Sequence, residues 1–312
     1  MKSRVGVVGL GIMGSAMSEN LVKAGFEVSG FDVATNRRKA LRAAGGRPEG
    51  SAGDVARRAA IVVTSLPSAG ALEAVSREVA ASAARGGILV ETSTLPIGDK
   101  EAARRLLARA GVTMLDCPLS GTGTQAKTRD LVAYASGPEA AYRRCVPVFE
   151  GFARAHRHLG PFGNGMKMKF ITNLLVAIHN VAAAEALTLA RKAGLDLAQV
   201  LEVVGGSAGA SRMFQVRGPR MVAGDYTPMM RLTLWQKDMS IISAFARGLG
   251  CPTPLFAECV ELYAATMAQG HADHDSAAVC AVMEGLAGLE RRPSGRRRGR
   301  RGRRAQSPSR SS

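Results

Sequence analysis

Short apolar runs alternate with longer Ala-rich stretches of helical spacing through the first half of the chain. Five of these runs predict strands, at Val5–Val8, Glu27–Phe31, Ile61–Ser65, Ile88–Thr92 and Val112–Leu115. Strands that are apolar throughout and alternate with helices are typical of a parallel sheet covered on both faces. Two further strand candidates follow, at Leu131–Ala135 and Ala155–Leu159. The first half therefore predicts an α/β domain.

The second half of the chain has helical periodicity. A long Ala- and Leu-rich pattern covers Met166–Ala193 and ends at Gly194. At about 1.5 Å per residue, such a helix is long enough to pass from one domain into the next. Further helices are predicted at Leu197–Val204, Leu232–Leu249, Pro254–Met267 and Ser276–Leu289. Because Gly160-Pro161-Phe162-Gly163 separates the two patterns, we place an α/β domain at residues 1–163 and an all-α domain at residues 164–290, joined by the long helix.

The net charge of +17 is distributed unevenly along the chain. Ten of the arginines lie in residues 291–312, which hold no acidic residue, so residues 1–290 carry +7. This segment is rich in Arg, Gly, Ser and Pro, and it has too little apolar surface to form a core. We expect a disordered, solvated tail without a dedicated role. The alternative is weak, salt-sensitive binding to nucleic acid or another polyanion.

The cysteines and the hydropathy of the chain indicate where the protein resides. The five cysteines are scattered without a CxxC pair, a pattern that favours free thiols over a disulfide framework or a zinc site. We find neither a charge-free apolar stretch of about 18 residues nor a secretory signal pattern. We therefore expect a cytoplasmic protein without a membrane segment. His271 and His274 lack an evident third ligand, and we expect no metal site.

A glycine motif, Gly9-Leu10-Gly11-Ile12-Met13-Gly14, lies between the first strand and a helix. In that context the glycines permit a tight turn, close approach of the backbone to a pyrophosphate, and close packing of helix against strand. The helix N-terminus adds free amides and the positive end of its dipole. An ordinary glycine-rich turn is the alternative. The motif predicts a Rossmann-type site for a dinucleotide.

Asp32 ends the second strand, 18 positions after Gly14. A carboxylate there accepts hydrogen bonds from the ribose hydroxyls of the cofactor and repels the 2′-phosphate of NADP. The next residue is Val33, so no arginine stands where a phosphate clamp is expected. We therefore predict NAD as the cofactor. Arg37 and Arg38 are close enough in sequence to keep NADP as the alternative.

Three polar residues form a line on the otherwise apolar long helix. Lys169 and Asn173 are one turn apart, and Asn180 extends the same face. The alternative is a solvated face, but most of the other faces of this helix are apolar. A lysine acts as an acid or base only when its pKa is lowered, which burial or a positive nicotinamide ring nearby would do. Lys169 is therefore a candidate catalytic residue.

A second candidate segment, Asp116-Cys117-Pro118-Leu119-Ser120-Gly121-Thr122-Gly123-Thr124, directly follows a predicted strand. A turn of Ser, Gly and Thr at the carboxyl end of a strand presents amide and hydroxyl donors, which suit a substrate carboxylate. A merely flexible turn is an equally good interpretation of this segment alone.

Together these motifs resemble those of the β-hydroxyacid dehydrogenase family, in order and spacing, over about residues 4–290. The resemblance extends to Ser65-Leu66-Pro67, Thr92-Ser93-Thr94, Lys237-Asp238 and Asp275-Ser276-Ala277. Thr122 stands where the family usually has a third glycine-type residue, and Thr172 where many members have a first asparagine. Met213-Phe214 and Gly224-Asp225-Tyr226-Thr227-Pro228 resemble the L-threonate dehydrogenase branch.

The resemblance implies hydride transfer between NAD(P) and a small hydroxy acid of the 3-hydroxyisobutyrate, tartronate semialdehyde/glycerate or threonate type. It implies that Ser120, Gly121 and Thr122 bind the substrate carboxylate, that Lys169 takes the alcohol proton, and that Asn173 holds the hydroxyl or the lysine. The cofactor contacts it implies are Gly9, Leu10, Gly11, Ile12, Met13, Gly14, Asp32, Leu66, Pro67, Thr94 and Lys237.

Family members of this kind are expected to form homo-oligomers, either dimers or tetramers. Two other functions stay open at this point. One is imine reduction, against which the retained Lys169 argues. The other is a non-catalytic, dehydrogenase-like chromatin protein that uses the basic tail, against which Lys169 and Asn173 both argue.

Overall fold

The computed structural model describes residues 3–290, and its strands and helices alternate through the first half of the chain. The strands are β1 Arg4–Val8, β2 Glu27–Phe31, β3 Arg47–Pro48, β4 Ile61–Thr64, β5 Ile88–Glu91, β6 Thr113–Asp116, β7 Leu119–Ser120, β8 Val132–Ala135 and β9 Ala155–His158. The helices of this half are α1 Ile12–Lys23, α2 Thr35–Ala43, α3 Ala52–Arg58, α4 Ala69–Ser82, α5 Ile97–Arg109, α6 Gly123–Lys127 and α7 Glu139–Phe152.

Six strands form one parallel sheet in the order β3-β2-β1-β4-β5-β6. This order is that of the Rossmann fold, in which the chain crosses from one edge back to the centre between β3 and β4. Val5, Val7, Val63 and Val90 on the central strands are fully buried, because helices cover both faces. The predicted α/β fold is confirmed, and the carboxyl ends of the strands meet at one edge.

The smaller details of the first half differ from the prediction. Leu131–Ala135 and Ala155–Leu159 do contain strands, β8 and β9, but these lie in a separate three-stranded sheet in which β8 pairs with both β7 and β9. The sequence did not indicate β3 or β7. Each has only two residues, which is too short for an alternating or apolar pattern to be recognised.

The second half is helical, as predicted. Its helices are α8 Asn164–Lys192, α9 Leu197–Gly205, α10 Arg212–Ala223, α11 Leu232–Gly248, α12 Pro254–Thr266 and α13 Val279–Leu286, with a π-helical turn Met267–His271 and a 3-10 turn Ser276–Ala278. The core of this half surrounds α8, where Phe170 and Leu187 pack in one cluster with Trp235 and Tyr263. The predicted all-α architecture around one long helix is confirmed.

Helix α8 begins at Asn164, two residues before the predicted start. Gly163 precedes it with φ +92, a conformation that glycine adopts without strain. By length and composition alone α8 is long and apolar enough to cross a membrane, which the sequence pattern had not suggested. Its contacts with α10, α12 and α13 make it the central helix of the helical core.

Helix α10 was missed by the sequence pattern. It contains Gly218 and Pro219, which weaken or interrupt helices in most contexts. Ser211 caps its first turn by accepting the Phe214 amide. A Cβ on Gly218 would lie 2.8 Å from Leu201 Cδ2, so glycine lets α10 pack against α9 without a shift of the Leu201 side chain. The predicted tail, residues 291–312, lies outside the described residues, and the division at residues 163/164 stays a prediction.

Candidate active site

The glycine turn connects β1 to α1 at the carboxyl edge of the sheet. Gly9 has φ +88, and a Cβ on Gly14 would lie 1.8 Å from the Gly9 carbonyl oxygen, so both positions require glycine. A Cβ on Gly11 would meet only Arg37 Nη1, at 3.9 Å, so the backbone there is open to a ligand. Helix α1 starts after Gly11 without a side-chain cap. The open backbone and uncapped first turn therefore fit the pyrophosphate of a dinucleotide.

Asp32 lies directly after β2 and is buried. Its Oδ2 accepts the Leu10 amide at 2.8 Å and Arg37 Nη1 at 3.1 Å, while Oδ1 accepts the Ala34 amide at 2.8 Å. Arg38 Nη1 donates to the Asp32 carbonyl oxygen at 2.6 Å. The carboxylate is therefore held beside the glycine turn, where the sequence placed it. Its pairing with Arg37 is a feature that the sequence did not indicate.

The loops after β4 and β5 lie at the same edge of the sheet. The Leu66 amide donates to Ser93 Oγ at 2.7 Å, which ties the two loops together. Leu66 is half-buried, and Pro67 beside it is exposed. Thr94 is half-buried one residue after Ser93. The predicted cofactor contacts of these loops are thus close in space to each other.

The polar line on α8 faces the protein interior. Lys169, Asn173 and Asn180 are all buried, so the face is not solvated. Asn180 Nδ2 donates to Tyr263 Oη at 2.7 Å and to the Ser276 carbonyl at 3.0 Å, which makes it part of the helical core. Within residues 3–290 we find no hydrogen bond of Lys169 Nζ. Burial lowers the pKa of Lys169, and the nearby Asp238 carboxylate opposes this shift.

Helix α11 brings two charged residues to this lysine. Asp238 Oδ2 accepts Asn173 Nδ2 at 3.3 Å, and Asp238 Oδ1 lies 3.2 Å from Lys237 Nζ. Lys237 Nζ also donates to the Thr94 carbonyl at 2.7 Å. Burial raises the pKa of Asp238, while Lys237 and Lys169 act in the opposite direction. The contact between Lys237 and Thr94 joins the helical half to the cofactor edge of the sheet.

The predicted substrate loop, Ser120–Gly123, leaves β7 and enters α6. Gly121 has φ +133, and a Cβ there would lie 2.6 Å from Leu131 Cδ2. The Thr122 amide and hydroxyl both bond Gln125 Oε1, at 3.0 and 3.2 Å, in a capping box. Ser120 is half-buried at the end of β7. Thr122 therefore holds the shape of the loop through Gln125, a residue that the sequence motifs did not identify.

The exposed Ile12 of the glycine turn contacts this substrate loop. A Cβ on Gly123 would lie 2.4 Å from Ile12 Cγ2, so the loop approaches the turn closely only because residue 123 is glycine. Met13 is half-buried in the first turn of α1. The dinucleotide turn and the substrate loop are therefore in direct contact.

A groove of about 430 Å³ lies elsewhere, between α4 and α5. Side chains such as Ser76, Arg77 and Arg109 line it, and none of the predicted site residues does. We therefore place the candidate active site by its chemistry, where the carboxyl edge of the sheet meets α8 and α11, rather than by the volume of a groove.

Comparison with known proteins supports this assignment. Residues 4–160 match the NAD binding domain of 6-phosphogluconate dehydrogenase, and residues 163–283 match the family described as NAD-binding of NADP-dependent 3-hydroxyisobutyrate dehydrogenase. Over 290 residues the chain is 34% identical to L-threonate dehydrogenase of Cupriavidus necator, covering 92% of this chain and 98% of that one. The chain belongs to the β-hydroxyacid dehydrogenase family. It is an NAD(P)-dependent oxidoreductase of hydroxy acids, with likeness to the L-threonate branch.

Solved structures agree with the family membership. Mycobacterium tuberculosis 3-hydroxyisobutyrate dehydrogenase with L-serine superposes with a TM-score of 0.83 at 30% identity, over 92% of this chain and 99% of that one. The imine reductase of Streptomyces aurantiacus is 23% identical with a TM-score of 0.59, over 90% of this chain and 99% of that one. The second likeness shows a shared fold only, so imine reduction is not favoured.

The structure brings several of the predicted site residues together and adds one acidic residue to them. The predicted Lys169, Asn173, Thr94 and Lys237 form one cluster. Asp238 completes it but was noted only as part of a family motif. A role for it follows from its contacts with Asn173 and Lys237, which join helices far apart in sequence. The Lys237-Asp238 motif was the one sequence signal that pointed to it.

Proposed function

We propose that this family member oxidises a small hydroxy acid with Lys169 as the general base. The observation that carries the proposal is the buried Lys169, with its lowered pKa and with Asn173 and Asp238 beside it. In the neutral form, Lys169 Nζ accepts the hydroxyl proton while the carbon bearing that hydroxyl loses hydride and becomes a carbonyl. The nicotinamide of the bound cofactor supplies the hydride acceptor.

Asn173 and Asp238 position this chemistry. Asn173 Nδ2 is held by Asp238 Oδ2, which leaves its side-chain oxygen free to accept the substrate hydroxyl or a Lys169 proton. Lys237 holds Asp238 and the Thr94 loop together. Ser120 and Gly121 offer donors to the substrate carboxylate, while Thr122 maintains the loop through Gln125. Excluding water from this cluster strengthens each of these contacts.

We propose that NAD is the preferred cofactor. Leu10, Gly11, Ile12, Met13 and Gly14 surround the pyrophosphate site, and the fixed Asp32 carboxylate faces the ribose position. A carboxylate at this place disfavours a 2′-phosphate. Arg37 lies 3.1 Å from Asp32 Oδ2 and offsets part of that charge, so discrimination against NADP is expected to be moderate.

For the substrate, we propose a polyhydroxy acid of the threonate type. The relative from Cupriavidus necator bears the name L-threonate dehydrogenase, and the motifs near Met213 and Gly224 resemble that branch. A 3-hydroxyisobutyrate-type acid is the second candidate, because a structural neighbour at 30% identity has that name. Both substrates carry the carboxylate and the secondary or primary alcohol that the site would engage.

We also propose that the enzyme acts in the cytoplasm as a homo-oligomer. Met168, Ile171 and Leu175 lie three and four residues apart on α8 and are 37%, 54% and 45% exposed. An exposed apolar stripe of this kind is typical of an interface. Within residues 3–290 none of the five cysteines forms a disulfide, as in proteins of reducing compartments. Light scattering coupled to gel filtration tests the assembly, and a monomeric protein would contradict it.

Activity with a defined set of acids tests the proposed function. Threonate, 3-hydroxyisobutyrate, glycerate and 4-hydroxybutyrate would each be offered with NAD⁺ and with NADP⁺, and reduced cofactor would be followed by absorbance. We expect turnover with at least one of these acids, highest with threonate. Failure of all four acids with both cofactors would contradict the proposal.

A further inference from the structure

Three charged side chains that the proposed reaction does not use are fully buried beside the site. Lys100 lies on α5, Glu91 ends β5 and Asp116 ends β6, and each is 0% exposed. Lys100 Nζ lies 2.6 Å from Glu91 Oε2 as an ion pair and donates a hydrogen bond to Asp116 Oδ1 at 2.7 Å. Apolar residues often replace such buried networks with no loss of stability. Stability alone therefore does not account for this network.

The Asp116 side of the network holds the beginning of α8. Asp116 Oδ2 accepts the Met166 amide at 2.8 Å and Ser136 Oγ at 3.2 Å. Ser136 Oγ in turn accepts the Gly165 amide at 2.9 Å. These amides belong to the first turn of the helix, one turn before Lys169. A carboxylate at a helix N-terminus also interacts favourably with the helix dipole. Asp116 therefore fixes the end of α8 that carries Lys169.

The Glu91 side of the network holds the cofactor loops. Glu91 Oε1 accepts the Ser93 amide at 2.9 Å, and Ser93 Oγ accepts the Leu66 amide at 2.7 Å. The carbonyl oxygen of Thr94, the next residue, accepts a hydrogen bond from Lys237 Nζ. Both loops that hold predicted cofactor contacts are therefore linked to Glu91 by hydrogen bonds.

Lys100 is the one side chain within residues 3–290 that bonds both carboxylates. The backbone already pairs the two strand ends, since Glu91 and Asp116 are partners in the register of β5 and β6 and the Cys117 amide donates to the Glu91 carbonyl oxygen at 2.8 Å. The attraction of one ammonium for two carboxylates therefore fixes the two acidic side chains relative to each other, and the burial of all three groups strengthens it. Burial alone would lower the pKa of Lys100, but Asp116 and Glu91 raise it above its usual value. The two carboxylates therefore favour the charged form of Lys100.

We propose that Lys100 is a positioning residue, whose ammonium fixes the helix bearing Lys169 relative to the loops that hold the cofactor. This role rests on the proposed function, because Lys169 is the base that would be misplaced. Displacement of a catalytic group by about 1 Å costs about 100-fold in rate. The binding groups themselves are untouched, since Glu91 keeps its bond to Ser93 without Lys100.

The test compares Lys100→Met with Arg105→Met and the wild type. Methionine keeps most of the unbranched side chain, one atom shorter, and removes the charge. Arg105 is a matched control on the same helix, with its side chain 62% exposed and 4.0 Å from Glu101. For Lys100→Met we expect kcat, per NADH-binding site, to fall about 10- to 100-fold. The Kd for NADH and the KM for the acid should change much less. Arg105→Met should match the wild type.

The pH dependence of kcat separates this role from loss of the base. Lys100→Met retains Lys169, so kcat should still rise with pH, at a lower level. Asp116→Asn is the second variant, and it leaves the Lys100–Glu91 pair balanced, so folding is retained. An amide has one oxygen for three donors, Lys100 Nζ, the Met166 amide and Ser136 Oγ, and kcat should fall as in Lys100→Met.

Two results would overturn the proposal. One is a kcat per NADH-binding site that equals the wild-type value in both Lys100→Met and Asp116→Asn. The other is loss of NADH binding in parallel with activity, which would indicate a structural role alone. If the wild type itself turned over none of the acids, the proposed function would fail, and the role of Lys100 with it. Turnover by the wild type distinguishes these failures.

Discussion

At the scale of single residues, the site combines motif positions with partners that only the fold supplies. Gly9, Gly14 and Asp32 could be identified from sequence because their chemistry depends on the neighbouring strand and helix. Arg37, Gln125, Asp238 and Lys100 could not. Arg37 and Gln125 bond Asp32 and Thr122, which are close in sequence, but neither residue type by itself indicates such a bond. Asp238 and Lys100 bond Asn173 and Asp116, which lie on other elements, and no local pattern reports such a pairing.

We expect Asp32 and Arg37 to decide the preference between NAD⁺ and NADP⁺. Replacing both Asp32→Ala and Val33→Arg should shift the ratio of kcat/KM for NAD⁺ over NADP⁺ by about tenfold or more towards NADP⁺, equivalent to about 1.4 kcal/mol. Arg37→Ala should shift it the other way, because it removes the cation 3.1 Å from Asp32 Oδ2. Initial rates with both cofactors measure the ratio. A wild type that already prefers NADP⁺ would show that the role of Asp32 is wrong.

At the scale of elements, the sequence pattern predicted the long and regular strands and helices. It missed the elements that are very short or that contain glycine and proline. The five predicted strands of the large sheet and α8 have strong apolar patterns. The two-residue β3 and β7 have none, and Gly218 and Pro219 obscured α10. Tertiary packing overrides local preference at such places, here by fitting Gly218 against Leu201.

The junction of α8 with the sheet depends on one glycine. A Cβ on Gly165 would lie 2.3 Å from the Tyr134 carbonyl oxygen and 2.7 Å from that of Asp116. Gly165→Ala should therefore displace the start of α8 and lower the free energy of unfolding by about 1–3 kcal/mol. Activity should fall with it, because Lys169 lies one turn further on. Urea denaturation and kcat measure both effects.

Gly285→Ala is the matched control for this change. Gly285 lies in α13, and a Cβ there would meet nothing within 4 Å. Alanine should raise the free energy of unfolding by about 0.5 kcal/mol, since it restricts the unfolded chain and favours the helix. Equal effects of the two substitutions on stability would contradict the close contact at Gly165.

At the scale of the whole molecule, the described chain ends far from the active site. Arg191 Nη1 donates to Glu284 Oε1 at 2.9 Å, and Arg191 Nη2 donates to the Glu290 carbonyl at 2.8 Å. Lys192 binds the Ala287 carbonyl at 2.8 Å. These contacts hold residues 284–290 against the last turn of α8. Lys169 lies about 33 Å from Arg191 along the helix, given a rise of about 1.5 Å per residue.

Truncation after Glu290 should therefore leave catalysis intact. It removes ten arginines and none of the contacts that fix the end of α8. We expect kcat and Tm close to those of the full chain, with weaker and less salt-dependent binding to heparin or DNA. A several-fold loss of kcat in the truncated enzyme would show that the tail takes part in the site.

The central claim is that Lys169 is the general base, and the pH dependence of kcat for hydroxy-acid oxidation tests it most directly. Burial lowers the pKa of Lys169, so the neutral amine forms at lower pH than for a free lysine. The wild-type kcat should rise with pH until the amine is fully neutral and then level off. The kcat of Lys169→Ala should not rise with pH in this way, and it should be lower than that of the wild type by about 10²- to 10⁴-fold. Lys167→Ala, which removes an exposed lysine bonded to Asn164, should retain both. A Lys169→Ala enzyme with near-normal kcat and an unchanged pH profile would contradict the account.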